Sequence, residues 1–265
     1  MMEKIILGRY LPLNSVVHRM DPRAKLLFIF GFVFVVFLAN NVLTYALLGV
    51  FTLFVIVLSN IKIQFLMTGL KPVIWLILFT FLLHVFFTKE GEVLAQLGFL
   101  SIYKGGVIKG AFISLRFLLL IFVTSLLTLT TPPISVTDGI ESLFGPLKRV
   151  KVPVHELALM MSISLRFIPT LLDETDKIMK AQMARGADFT SGSLTSRIKA
   201  VIPLLIPLFV SAFKRAEELA VAMEARGYRG GEGRTKYRVL AWHGRDTAAL
   251  LVLVALAAAL FGLRS

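Results

Sequence analysis

Five stretches of this chain stay apolar over about the length a helix needs to cross a bilayer, roughly 20 residues. They cover about 24–39 (AKLLFIFGFVFVVFLA), 42–59, 65–87, 107–131 and 246–263 (DTAALLVLVALAAALFGL). Runs of this kind restrict the chain to an all-α integral membrane protein with about five transmembrane helices. Composition agrees: 57% of the residues are hydrophobic, above the roughly 45–50% of a soluble domain. The first run is short, and Lys25 at its edge is expected to snorkel to the interface. Asn40-Asn41 forms an uncharged turn to the second run.

Between Pro132 and Arg245 the texture changes from continuously apolar to amphipathic. Leu157, Met160, Met161, Ile168, Leu171, Leu172, Ile178 and Met179 recur at spacings of three and four, which predicts a helix over 154–184. Ile198, Val201, Ile202, Leu205, Leu208, Phe209, Ala212, Ala216, Leu219 and Met223 predict a second helix over 195–225, with Ser193 or Thr195 as its cap and a bend at Pro203 and Pro207. A shorter helix is expected over 135–149, capped by Ser135 or Thr137 and broken at Pro146. The segment YRGGEGRTKYR (228–238) is a flexible basic linker into the last run.

Charge fixes an expected topology. The formal net charge is +13, and of the 29 Lys and Arg, five lie in residues 1–25 and seventeen in 132–245. Cytoplasmic segments retain positive charge. An N-terminus inside returns the chain to the cytoplasm at Pro132 after four crossings, which puts the seventeen basic residues inside and the C-terminus outside. The loop 88–106, then external, carries only Lys89 and Lys104. The divisions that follow are an N-terminal membrane region 1–131, an amphipathic cytoplasmic region 132–240 and a C-terminal membrane helix 241–265. The N-terminal residues are not expected to form a secretory leader, since Pro12, Pro22 and charges stand where an apolar core would be. With no cysteine in the chain there is no disulfide, thiolate or Cys-ligated metal.

Both amphipathic helices end on the same tripeptide. Ala184-Arg185-Gly186 in MARGAD and Ala225-Arg226-Gly227 in EARGYR stand 41 residues apart. The same offset pairs Asp176 with Glu217, Ile178 with Leu219 and Ala181 with Ala222. One copy is a sufficient helix ending, with Gly accepting the left-handed conformation and Arg facing the negative end of the helix dipole. Two copies read as two plugs of one kind. Ala permits close approach, Gly stops the helix, and Arg presents a planar five-donor fork to a carboxylate. Such a pair suits two similar sockets, for instance on a dimeric partner.

The stretch HRMDPRAKLL precedes the first run, with Asp21-Pro22 as cap and first helical residue. Arg23 and Lys25 are expected at the membrane edge. Charges within or near the runs are Lys71, His84, Lys109 and Arg116, and such groups are costly and often functional. Lys71 and Lys109 stand near enough to ends to snorkel, His84 is expected to be a satisfied packing residue, and Arg116 is deeper, with a substrate path, a neighbouring group or a lipid headgroup as its alternatives.

HRMDPRAKLL before the first run, followed by membrane spans and by a helical region with two Ala-Arg-Gly ends, resembles the transmembrane T component of energy-coupling factor (ECF) transporters, the EcfT family. The resemblance covers nearly the whole chain. It implies a scaffold that joins two ABC-type ATPases of the EcfA kind to a small substrate-binding membrane subunit, the S component, for uptake of a vitamin, another micronutrient or a metal ion. It implies ATPase contacts at Ala184, Arg185, Gly186, Ala225, Arg226 and Gly227, on coupling helices whose apolar faces meet the S component, and a multi-pass location in a prokaryotic plasma membrane. ATP and Mg would be held by the partner ATPases and no cofactor by this chain.

The sequence itself agrees with a non-enzyme, since GGEGRT lacks the lysine, spacing and preceding strand of a phosphate-binding loop, and no metal-ligand cluster or nucleophile motif occurs. The alternative is a stand-alone carrier or membrane-embedded enzyme using Arg116 and Lys71. Nucleic-acid binding by the basic linker ranks below both, because basic residues are expected beside a span on the cytoplasmic side.

Overall fold

The computed structural model describes residues 10–97, 100–187, 189, 193–230 and 238–264. The linker residues 231–237, Asp188 after the first Ala-Arg-Gly and the side chain of Ile198 lie outside the described residues. The elements run α1 (Pro22–Val36), α2 (Val42–Ser59), α3 (Ile63–Phe87), β1 (Val93–Leu97), β2 (Leu100–Tyr103), α4 (Lys104–Thr130), α5 (Pro133–Leu143), a 3₁₀ turn (Gly145–Val150), α6 (Val154–Ala184), α7 (Leu194–Ala225) and α8 (Gly244–Gly262). The chain divides into two compact units, one made of residues 7–142 with 240–265 and the other chiefly of 143–239.

The first unit is the helical bundle. Asp21 caps α1 by accepting from the Arg23 N–H, with Pro22 at the first helical position, as the sequence predicts. Asn41 caps α2 through a reciprocal pair with Thr44. Phe32, Val36, Tyr45, Leu48, Leu119, Val123 and Leu260 form the main core, drawn from α1, α2, α4 and α8. A smaller core of Ile56, Ile61, Leu66, Leu126 and Leu129 joins α2, α3 and α4. Helix α4 lies close against α3 because it has no side chain at Gly106, where a Cβ would come within 2.8 Å of the His84 carbonyl.

Among the described residues five helices, α2, α3, α4, α6 and α8, are long and apolar enough to cross a membrane, and the all-α membrane class stands. The set differs from the sequence reading in one member. Helix α1 has only 15 residues, about 22 Å at 1.5 Å per residue, against a hydrocarbon core of about 30 Å; its apolar run continues as turns to Ala39. Helix α6 qualifies by its 31 residues and is the least apolar of the five, because its apolar residues are confined to one wide stripe. Two further corrections are local. The 88–106 loop folds as an antiparallel hairpin with Gln96 opposite Ser101. Helix α5 begins at Pro133, so neither Ser135 nor Thr137 caps it; the Ser135 N–H is already bonded to the Pro132 carbonyl.

The second unit holds α6 and α7. Their interior prolines, Pro169 in α6 and Pro203 and Pro207 in α7, lie within otherwise continuous helices.

Candidate functional site

The Ala-Arg-Gly ends of α6 and α7 have the same backbone geometry. In α6 the Ala187 N–H bonds the Gln182 carbonyl and the Gly186 N–H bonds the Met183 carbonyl, both at 3.0 Å. In α7 the Tyr228 N–H bonds the Met223 carbonyl at 3.0 Å and the Gly227 N–H bonds the Glu224 carbonyl at 2.8 Å. This is the full two-bond Schellman closure in each case, with glycine in the left-handed region, φ +90° at Gly186 and +72° at Gly227. A Cβ at either glycine would meet nothing within 4 Å. The requirement for glycine is therefore conformational rather than one of space. Arg185 and Arg226 stand at the last helical turn of each arm, and both are exposed.

The two helices are joined by an ion pair. Arg215 of α7 donates to the Glu174 carboxylate of α6 at 3.0 Å. These residues are themselves 41 positions apart, the offset that relates the two tripeptides. Arg185 lies 11 residues beyond Glu174 and Arg226 lies 11 beyond Arg215, so each arm extends about 16 Å from the pair at helical rise. The structure thus brings the two halves of the repeat together at equivalent positions and leaves two basic tips on arms of equal length. Sequence reasoning missed Glu174 and Arg215. The signal was present, since the 41-residue offset that aligned the tips also aligns a carboxylate with a guanidinium.

The arms differ in surroundings. Arg226, Gly227 and Tyr228 border a groove of about 810 Å³ whose other wall is α6, including Leu159, Arg166 and Phe167. Arg185 does not border it. The predicted stripes are only partly used within the unit. Leu157, Met160, Met161, Val201, Ile202, Leu205 and Phe209 remain exposed by 41–62% of their surface, while Leu204 is buried.

The second predicted element, HRMDPRAKLL, becomes the polar centre of the bundle. Asp246 at the start of α8 is fully buried and accepts from the Asp21 N–H at 2.9 Å and the His243 N–H at 2.8 Å. Burial pushes the Asp21 carboxyl up, but hydrogen bonds from Arg23 outweigh it and hold the group below its ordinary value. The same guanidinium donates to Ser142 Oγ and to the Leu240 carbonyl, both at 3.3 Å, and stacks over Trp242. Ser142 and Leu240 are the residues at which the chain leaves and re-enters this unit, so Arg23 grips both connections.

Lys25 does not snorkel. It is 5% exposed and donates to the His18 carbonyl, the Thr130 carbonyl and Thr131 Oγ1. The end of α4 supplies two of these acceptors, and nothing local in the sequence announces that. His18 donates from Nε2 to the Leu11 carbonyl and accepts from Ser15 at Nδ1, at 3.0 and 2.7 Å. Burial lowers its pKa below 6.5.

The intramembrane charges take plain roles. Arg116 donates to the Ala39 carbonyl at 3.2 Å and stacks over Phe37 at 4.9 Å, so it serves the negative end of α1. His84 donates to the Thr80 carbonyl at 2.8 Å, the satisfied arrangement the sequence predicts. Lys109 is paired with Glu90 beside the hairpin. Lys71 is exposed in the first half of α3.

These features define a class: a multi-pass helical membrane protein carrying a pair of paired helices with matched basic tips. Comparison with known proteins narrows it. Residues 13–237 match the CbiQ family model, described as cobalt transport protein. The chain is 66% identical over 265 residues, the whole of both chains, to the energy-coupling factor transporter transmembrane protein EcfT of Bacillus subtilis (strain 168). It is 60% identical over the same full length to the EcfT of Listeria innocua serovar 6a, and 54% identical to that of Streptococcus equi subsp. equi over 100% of this chain and 98% of the relative. The chain belongs to the EcfT family, the transmembrane components of energy-coupling factor transporters.

Proposed function

We propose that this chain is the non-catalytic scaffold of an ECF-type importer, carrying movement from two ATPase subunits to a substrate-binding S component. The observation that supports this most is the pair of identical helix ends, each closed by the same two hydrogen bonds and each 11 residues beyond one member of the Glu174–Arg215 pair. Equal arms with equal tips suit a partner that offers two similar sockets. An exposed guanidinium at a capped helix end keeps its fork free for a carboxylate. The closure beneath it removes the backbone from competition, because the last carbonyls are already bonded. Ala184 and Ala225 keep the flank of each tip slim. Hydrolysis of ATP, and the Mg it requires, belong to the partners.

The exposed stripes of α6 and α7, with Met160, Met161 and Phe209 among them, suit a shifting apolar contact, since Met and Phe adapt to a moving surface. We assign that face to the S component. In this reading α1 with its continuation to Ala39 makes the first of four crossings before Pro132, region 132–240 including α6 is cytoplasmic, the N-terminus is inside, and the protein resides in a prokaryotic plasma membrane. The clustered basic residues support the orientation.

The test is co-purification with co-expressed ATPase subunits. Arg185→Glu together with Arg226→Glu places like charge against any socket carboxylate. It is expected to abolish complex assembly and coupled hydrolysis while leaving the chain folded in the membrane. Intact assembly and transport in that double variant defeats the reading.

A further inference from the structure

At one end of the bundle the first turns of α1 and α8 and the last turns of α2 and α4 enclose a cavity of about 270 Å³. Its wall is almost wholly apolar, with Phe28 from α1, Phe54 from α2, Leu126 from α4 and Val252 from α8. A space many times the ~30 Å³ share of one water, lined this way, offers water no partners and favours an apolar occupant. Val16, also on the wall, is 53% exposed, so the space opens outward past that residue.

Two cations line the same cavity. Lys25 has its ammonium committed to three oxygens. Arg245 is different, because its Nε is buried without a hydrogen-bond partner among the described residues. The carboxylates at this end are committed as well: Asp246 accepts from two backbone N–H groups, and Asp21 accepts from Arg23. A buried donor left unmet is costly, and Arg245, partly exposed as a residue, lines the apolar chamber. The ligand that completes both features has a long apolar chain and an anionic head.

We propose that this cavity binds one anionic phospholipid of the bilayer, with an acyl chain against Phe28 and Phe54 and the phosphate on Arg245. The site lies within the bundle and is independent of the arms of α6 and α7, so it stands or falls separately from the coupling role. Its occupant fills the space between α1, α2, α4 and α8 near the Asp21 and Asp246 network, which makes the stability of that end of the bundle depend on lipid class.

The experiment uses the full-length chain in detergent, titrated with phosphatidylglycerol or phosphatidylcholine and read by native mass spectrometry. The expected result is a single tight phosphatidylglycerol, preferred about tenfold over phosphatidylcholine, the order of one charge-assisted hydrogen bond. Arg245→Gln is expected to bring the two lipids level. Ala249→Phe, which keeps the charge and fills the chamber, is expected to remove the tight site. Thermal unfolding of the unaltered chain gives a check that needs no variant, with a higher midpoint in phosphatidylglycerol than in phosphatidylcholine. Equal binding of both lipids by the unaltered chain, retention of the preference in Arg245→Gln, or a tight site surviving in Ala249→Phe overturns the proposal.

Discussion

Arg23 and the pair Arg185 and Arg226 are the same side chain in opposite circumstances. Arg23 spends its donors internally, on Asp21, Ser142 and the Leu240 carbonyl, beside a ring. Arg185 and Arg226 stand exposed on helix ends whose own carbonyls are already closed. The contrast teaches where charge holds this protein together and where it is offered outward. An arginine inside a satisfied network holds elements in register, and its removal is felt as lost stability. An exposed one adds little to stability and is free to act on a partner.

That division is open to direct attack. The largest effect is expected from Asp21→Ala, which deletes the cap of α1 and strips Arg23 of its carboxylate. Losing the cap costs about 1 kcal/mol, and leaving the partly buried Arg23 guanidinium without its carboxylate costs about 1–3 kcal/mol more, so the folded fraction in a detergent denaturation series is expected to drop clearly. A small loss would mean that the network is ornamental. Next come the single tip substitutions. Arg226→Ala and Arg185→Ala are each expected to leave the unfolding midpoint within the few tenths of a kcal/mol usual for surface changes while weakening ATPase co-purification. They are expected to differ in severity, since only Arg226 borders the groove shared with α6. Identical loss from each would erase the asymmetry between the arms.

Smaller still is Gly227→Ala. Forcing an alanine to φ +72° costs about 1 kcal/mol, and Gly227→Asn is expected to cost less because Asn tolerates that conformation. Amide exchange at the end of α7 measures both. An alanine variant that exchanges as slowly as the parent would show that the closure does not depend on glycine.

The smallest effect is in pH. His18 has its pKa lowered by burial, so its contribution is present above 6.5 and is lost as pH falls from 6.5 through the lowered folded value. Asp21, also held below its ordinary 3.8, loses its contribution only in stronger acid. A dip in thermal stability below pH 6.5 that vanishes in His18→Gln is the expected signature.

Much of the candidate site is legible in the sequence alone. The tripeptides showed as helix ends because glycine after an amphipathic run has a local backbone meaning, and both glycines do lie at positive φ. Asp21-Pro22 showed as a cap for the same reason. What escaped was whatever depends on a distant partner. Lys25 reads as a surface anchor from its neighbours in sequence, and only the Thr130 carbonyl, 105 residues away, makes it an interior group. Asp246 reads as the first residue of an apolar run, and only the Asp21 N–H, 225 residues away, shows why a carboxylate stands there. The short helix α1 was overextended because apolarity runs on to Ala39, whereas the helix ends at Val36.

The sequence by itself determined the membrane class, the two amphipathic helices and their matched ends, because hydropathy, helical period and capping act over a few residues. Only the tertiary structure decided which arginine is an internal tie and which is an exposed tip, where Glu174 meets Arg215, and that a buried lysine, two carboxylates and an apolar chamber share one end of the bundle. Burial and hydrogen-bond satisfaction are properties of neighbours in space, and a linear pattern carries no record of which distant oxygen will stand beside a charge.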